Sequence, residues 1–170
     1  MTTQPSEHLI DWLRDAHAME QQAETMLQEQ ATRLTDYPEL RQRVTEHIDE
    51  TTWQRQQLEA CLQRLGASPS TLKDVTGKLM AFGQGLGGMF ASDEVVKGIM
   101  AGYVFENMEI ASYTVLIAAA DLAGDQQTKT VCEQIIVQEK AMAAWLLEHL
   151  PATTRTFLGR SSTPGMEAKS

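Results

Sequence analysis

The sequence lacks most features of secreted, membrane-spanning and nucleic-acid-binding proteins. It has only two cysteines, Cys61 and Cys132, and neither has the CxxC or CxxH partner of a zinc or redox motif. Lysine and arginine total 14 against 23 acidic residues, and no basic cluster offsets the net charge of −9, so phosphate backbones and anionic lipids would be repelled. No apolar run approaches the roughly 20 residues of a membrane span. We therefore expect a soluble protein with no nucleic-acid or membrane partner and with both cysteines buried and reduced.

The N-terminal residues also lack the basic and apolar stretches of a signal peptide, so we expect a cytoplasmic protein. A length of 170 residues, of which 42% are hydrophobic, suits one domain with a full core. We assign residues 1–150 to this domain and residues 151–170 to a polar C-terminal tail.

Amphipathic periodicity predicts two helices in the first part of the chain. Apolar residues spaced three or four apart predict helix one from near Ser6 to near Leu34. Asp36 and Glu39 have the spacing of a capping box, which indicates that helix two starts directly afterwards. Gly66 stands where a left-handed residue usually ends a helix. The two helices therefore form a tight hairpin.

A second hairpin follows a long connection. Residues 67–92 are rich in glycine around a short amphipathic segment, which we interpret as a crossover containing a short helix. Ser92 is the expected cap of helix three, and Asp125 opens helix four, which we expect to stop before Pro151 and leave a mostly unstructured tail. Two hairpins joined by one long crossover predict an all-α, ferritin-like four-helix bundle.

Acidic side chains occupy positions where the helical pattern calls for apolar ones. On a helical wheel each predicted helix turns at least one glutamate toward the bundle interior or its flank. His47 also faces inward, one turn before the helix-two glutamate. The glutamates are Glu20 on helix one, Glu50 on helix two, Glu106 and Glu109 on helix three, and Glu139 on helix four.

The spacing of these glutamates repeats between the two hairpins. Glu20 and Glu50 are separated by 30 residues, and so are Glu109 and Glu139. A shift of 89 residues superposes the first pair on the second, together with several apolar matches. A bundle with this pseudo-two-fold symmetry would bring the four side chains together at mid-height.

Carboxylates that meet in a core need protons or metal ions, because a buried charge is costly and like charges repel. Oxygen-rich ligand sets suit iron or manganese, and one Glu per helix is the pattern of di-iron carboxylate bundles. We therefore predict a metal site formed by Glu20, Glu50, Glu109 and Glu139, with Glu106 and His47 as further ligands. The alternative is a set of glutamates that face a wet seam or a subunit interface.

The predicted ligand set departs from the di-iron pattern at two positions. Such bundles place a histidine three residues after a glutamate on two helices. Here those positions hold Trp53 and Met142. His47, three residues before Glu50, is the only imidazole that we expect to substitute, and a core role fits it equally well. The site is therefore either oxygen-rich and asymmetric or vestigial.

At these residues the sequence resembles the YciE/YciF family of bacterial stress-associated ferritin-like proteins, and within it YciE most. The resemblance implies a rubrerythrin-related bundle, dimerisation and stress-induced expression, but no established reaction. Residues 138 and 143, a glutamine and an alanine, replace acidic residues that many YciF-like members carry. The matching segments are 11–20 in helix one, 37–40 at the start of helix two, 92–98 and 103–106 in helix three, and 167–169 in the tail.

Two functions fit the sequence. The first is a stress-associated di-metal protein that handles iron, manganese or peroxide, with Tyr103 or Tyr113 as an electron donor or a core residue. The second is a metal-free structural or interaction protein that keeps the ancestral fold; a storage cage is a weaker third reading. We expect a homodimer as the assembly, with Trp53 on the outer side of helix two as its candidate anchor.

Overall fold

The computed structural model describes residues 4–69 and 94–168, and in these ranges the chain is helical with short turns. The crossover, its short helix and the Ser92 cap lie almost wholly outside the described residues. None of the described helices contains a stretch long and apolar enough to cross a membrane. The helices are α1 (Pro5–Arg33), α2 (Pro38–Arg64), α3 (Glu94–Leu122) and α4 (Gln126–Ser161).

The ends of α2 and α3 follow the sequence pattern closely. Gly66 has φ +71°, as does Gly124 between α3 and α4, so both adopt the left-handed conformation that glycine allows without strain. Asp125 caps α4, because its Oδ1 accepts a hydrogen bond from the backbone N–H of Thr128 at 3.1 Å. The predicted ends of the first hairpin and the predicted start of α4 are therefore confirmed.

The predicted cap of α2 is wrong. The N-cap residue is Tyr37, and no side chain bonds the free N–H groups there. Asp36 instead pairs with Arg160 at the far end of the chain. The guanidinium carries a full positive charge and several N–H donors, and it holds the Asp36 carboxylate away from the start of α2.

α4 does not stop before Pro151 but continues for ten more residues, to Ser161. Proline removes one helical hydrogen bond, and tertiary contacts beyond it outweigh that loss. Phe157 packs against the core, and the hydroxyl of Tyr37 donates to the carbonyl of Ala168 at 2.7 Å. The tail is therefore tied to the turn between α1 and α2.

Neighbouring helices run antiparallel. α1 packs against α2 and α3, and α4 packs against the same two helices. Along the α1–α3 contact, Glu20 meets Tyr113 and Gln30 meets Gly98, so the residue numbers run in opposite directions. Arg64, the last residue of α2, contacts Asp125 at the end of α3, whereas α3 begins beside Gln30. The chain between α2 and α3 therefore joins opposite ends of the bundle, as a ferritin-like connectivity requires.

The described residues form two apolar core clusters, one in each half of the bundle. The first contains Leu13, Leu58 and both cysteines, which are buried and unpaired as expected. Trp53 is not the exposed anchor that the helical wheel indicated, because it is half-buried and packs against this cluster. Along the helices His47 and Glu139 lie between residues of the two clusters, whereas Glu20 and Glu109 lie among residues of the first.

Candidate metal centre

Five ionisable side chains from four helices are buried in the middle of the bundle. Each occupies an inward position of its helix, where the periodicity would otherwise place a leucine or alanine. None is more than 3% exposed. The residues are Glu20 on α1, His47 on α2, Glu106 and Glu109 on α3, and Glu139 on α4.

Three of these residues form a compact group. His47 Nε2 lies 3.3 Å from Glu106 Oε2 and 3.7 Å from Glu139 Oε2. One ligand atom from each of His47, Glu106 and Glu139 lies within 4.8 Å of the others. A cation at the centre of such a group would be within about 2–3 Å of all three atoms, the range of metal–oxygen and metal–nitrogen bonds.

Glu50 lies nearer to the protein surface than the sequence indicated. Its side chain is 31% exposed, whereas that of His47 is 1% exposed. Glu50 Oε2 is 2.6 Å from His47 Nδ1 and accepts a hydrogen bond from Arg43 at 3.0 Å. Burial would raise the pKa of Glu50, but its contacts with His47 and Arg43 outweigh burial and lower it. Glu50 therefore orients the imidazole and leaves Nε2 facing the buried carboxylates.

Two uncharged side chains donate hydrogen bonds to buried carboxylates of this group. The Tyr113 hydroxyl donates to Glu20 Oε1, and the Gln54 amide donates to Glu139 Oε1. The same amide of Gln54 also donates to Gln138 Oε1 at 3.0 Å. Glutamine at position 138 therefore belongs to a polar network beside the site.

Three of the buried carboxylates, those of Glu20, Glu109 and Glu139, favour protons in the absence of a metal. Burial raises the pKa of Glu20 to about 8. Burial, together with the charge of neighbouring carboxylates, also raises the pKa values of Glu109 and Glu139 well above the usual range. Burial alone would lower the pKa of His47, but its contacts with Glu106 and Glu50 outweigh burial and raise it to about 10. The imidazolium is thus the positive charge within this group.

Four carboxylate oxygens in this group have no hydrogen-bond partner among the described residues. They belong to Glu20, Glu106, Glu109 and Glu139. His47 approaches Glu106 as an ion pair and not as an aligned hydrogen bond. A buried acceptor without a donor is costly, and such atoms are natural positions for metal coordination. The residues present therefore fit a hard cation.

Sequence reasoning missed part of the surroundings of this group. Neither Gln54 nor Arg43 was assigned a role from the sequence. His17 was also overlooked, although it stands three residues before Glu20 as His47 stands before Glu50. His17 is buried with its Nε2 unpartnered, and burial lowers its pKa. The repeated His-x-x-Glu spacing is the signal that could have found it.

Comparisons with known proteins agree with this architecture. Residues 4–159 match the family model "Domain of unknown function (DUF892)". A solved protein from Xanthomonas campestris pv. campestris is 40% identical, with a TM-score of 0.82 over 94% of this chain and 100% of the other. YcfI from Rhodopseudomonas palustris is 26% identical, with a TM-score of 0.70 over 85% and 93% of the two chains. The E. coli stress protein YciF shares the fold, at 19% identity and a TM-score of 0.75 over 88% and 96%.

These matches confirm the ferritin-like helical bundle, a fold that the chain shares with YciF. The family match covers nearly the whole chain, including every residue of the buried polar group. The chain therefore belongs to the DUF892 family.

Proposed function

We propose that this chain is a stress-associated ferritin-like protein, nearest to YciE in its family, that binds iron or manganese at mid-bundle in the cytoplasm. The observation that carries the proposal is the convergence of His47, Glu106 and Glu139, whose ligand atoms lie within 4.8 Å of one another. Glu20 and Glu109 lie beside them and would complete a second metal position. A mixed imidazole and carboxylate set of this kind suits iron and manganese.

Different residues would bind the cation and orient its ligands at this site. His47 Nε2 and the oxygens of Glu106 and Glu139 would hold the first cation. Glu50 accepts the other imidazole hydrogen, and Arg43 holds Glu50, so the ring is oriented before a cation arrives. Glu50 supports the ligand histidine in this arrangement, although the sequence placed it among the ligands.

A bound iron centre would supply redox chemistry toward oxygen or peroxide, and manganese would supply peroxide chemistry. The apolar clusters on either side exclude bulk water from the carboxylates. Tyr113 keeps Glu20 in a fixed orientation through its hydroxyl. Peroxide consumption by the loaded protein is the activity to assay first.

Metal content tests the proposal directly. The protein is stripped with chelator, loaded with Mn²⁺ or with Fe²⁺ under nitrogen, desalted and analysed for bound metal. We expect metal near stoichiometric amounts in the wild type and a loss of most of it in Glu139→Gln. Glu133→Gln is the matched control, because Glu133 is exposed on the same helix. Glu50→Gln should weaken binding by about 10–100-fold, the usual effect of removing a carboxylate that orients a ligand histidine.

Comparing the metal content of the two glutamate variants also distinguishes metal ligands from residues that orient a ligand. If Glu50→Gln abolishes binding as completely as Glu139→Gln does, then Glu50 is itself a ligand. A wild-type protein that retains no metal after loading would refute the proposal.

A metal-free structural role is the second candidate, and one observation favours it. Glu20 and Glu139 each already accept a hydrogen bond from a neutral donor, Tyr113 and Gln54 respectively. Protonated carboxylic acids can persist in such a core without a cation. In that case Glu139→Gln would leave the stability unchanged or raise it, and added metal would not raise the unfolding temperature.

A further inference from the structure

The two cysteines of the chain lie opposite each other along the contact between α2 and α4. Their positions follow from the hydrogen bond that Gln54 on α2 donates to Glu139 on α4. Cys61 is seven residues after Gln54, and Cys132 is seven residues before Glu139. Seven residues are almost two helical turns, so on these antiparallel helices both cysteines return to the face of that hydrogen bond. They lie about 10 Å nearer to the end of the bundle.

A hydrogen bond on the other side of the cysteines supports the same alignment. Arg64 Nη2 on α2 donates to Thr128 Oγ1 on α4 at 2.7 Å. Arg64 follows Cys61 by one turn of α2. Thr128 precedes Cys132 by one turn of α4. The two cysteines also belong to one apolar cluster and are 3% and 0% exposed, so they form a buried dithiol between two helix-to-helix hydrogen bonds.

Arg64 gives the two thiols different surroundings. Its guanidinium donates a hydrogen bond to Cys61, and its side chain also reaches the surface, with 34% exposed. A cation beside a sulfur stabilises the negative charge that the sulfur carries when it attacks an oxidant. Cys132 is fully buried, and its pKa is raised to about 12, first by burial and next by the nearby Cys61. Cys61 is therefore the thiol that an oxidant meets first.

We propose that Cys61 and Cys132 form a peroxide-reactive dithiol, which closes to a disulfide between α2 and α4. The sulfur of Cys61 attacks one oxygen of hydrogen peroxide, so an S–O bond forms, the O–O bond breaks, and the thiol proton leaves with the hydroxide as water. The sulfur of Cys132 then attacks the sulfenic acid, so the S–S bond forms, and the second oxygen leaves as water with the Cys132 proton. The two sulfurs lose two electrons, and the peroxide gains them. No metal takes part in either step, so this inference stands apart from the metal site.

Disulfide closure would link the two hairpins of the bundle. α2 belongs to the first hairpin and α4 to the second, and the chain connects them only through the long connection and α3. The cross-link closes a loop of about 70 residues, and a loop of this length strongly restricts the unfolded chain. The bundle would therefore become more stable in the presence of peroxide, and thiol reductants would reverse the change.

Mass spectrometry and thermal unfolding test the proposal. Reduced, chelator-treated wild type is exposed to hydrogen peroxide in its native state, freed of peroxide with catalase and alkylated in denaturant. We expect a disulfide between the peptides that contain Cys61 and Cys132, which peptide mapping distinguishes from methionine oxidation. The unfolding temperature should rise by at least about 5 °C, because a long loop is closed. Dithiothreitol should restore both thiols and the original unfolding temperature.

Single variants test the order of attack. Cys132→Ala should stop at a sulfenic acid on Cys61, which dimedone captures. Cys61→Ala should leave its remaining thiol unmodified after the same exposure to peroxide. Neither variant should gain stability from the oxidant, and circular dichroism checks that both remain folded. If either variant unfolds, the wild-type experiment still decides the proposal.

The proposal fails on any of three results. Wild type that keeps both thiols after an exposure that oxidises free glutathione completely would show that the dithiol does not react with peroxide. A disulfide that joins two molecules, or one that lowers the unfolding temperature, would show that the two sulfurs are not placed for a cross-link between α2 and α4. Oxidation of Cys132 in Cys61→Ala as fast as that of Cys61 in Cys132→Ala would refute the order of attack.

Discussion

The metal-free protein should lose stability as the pH rises from 5 to 8, with Glu20 as a main cause. Burial raises the pKa of Glu20 from 4.5 to about 8, although the hydrogen bond from Tyr113 acts against the shift. Because the pKa is higher in the folded state than in the unfolded state, the folded state holds the proton more tightly. This contribution to stability is fully present below about pH 4.5 and is lost as the pH rises through about 8.

The size of the effect follows from the two pKa values. For one group with these values, linkage gives a loss of about 3–4 kcal/mol in the free energy of unfolding between pH 5 and 8. For a chain of this size that corresponds to a fall of about 7–14 °C in the unfolding temperature. His47, with its pKa raised to about 10, changes stability in the same direction. The lowered pKa of Glu50 acts only at more acidic pH, because its stabilisation is lost as the pH falls.

The assay compares chelator-treated wild type with Glu20→Gln by thermal unfolding at pH 5, 6.5 and 8. Glutamine keeps the acceptor for Tyr113 but cannot ionise. Between pH 5 and 8 the free energy of unfolding of Glu20→Gln should therefore fall by about 3–4 kcal/mol less than that of the wild type. Glu29→Gln, an exposed change on the same helix, should follow the wild type. Equal pH dependence of Glu20→Gln and the wild type would refute the reasoning, and so would a wild type that gains stability toward pH 8.

Three further predictions concern stability. Tyr113→Phe leaves Glu20 without its donor and should cost about 1–3 kcal/mol by urea unfolding, with most of that cost absent in a Glu20→Leu background. Gly124→Ala should lower the free energy of unfolding by about 1 kcal/mol, because φ is +71° there. Gly159→Ala, in an open helical position, should raise it by up to about 1 kcal/mol. Equal effects of the two substitutions would contradict this account. A chain shortened to residues 1–151 should unfold at least about 5 °C lower, since the end of α4 packs on the core; an unchanged melting curve would show that these contacts contribute nothing.

The helices themselves could be predicted well from the sequence because their signals are local. Apolar residues recur with the helical period, and Gly66 and Gly124 mark the turns by a conformation that other residues avoid. The expected end at Pro151 failed for a non-local reason. The apolar side chain of Phe157 indicated that the tail could pack back, but whether the helix continues past the proline depends on what the following turns can bury.

The inward direction of Glu20, Glu106, Glu109 and Glu139 was likewise predicted from periodicity, and the structure buries all four. Periodicity did not show which of them meet. By symmetry Glu50 seemed equivalent to Glu139, yet Arg43 holds it at the half-buried edge. Arg43, His47 and Glu50 lie on the same helix, and how far each of them reaches into the core depends on how α2 is rotated against its neighbours.

The sequence by itself determined the presence of the helices and several of their ends, the apolar faces and the row of carboxylates that face the interior, because each of these depends on residues within a few turns of one another. Only the tertiary structure decided which carboxylates share the imidazole of His47, which one supports it from outside, and where the tail packs. Such choices depend on the depth and rotation of each helix against its neighbours, and these are set by the packing of the whole core.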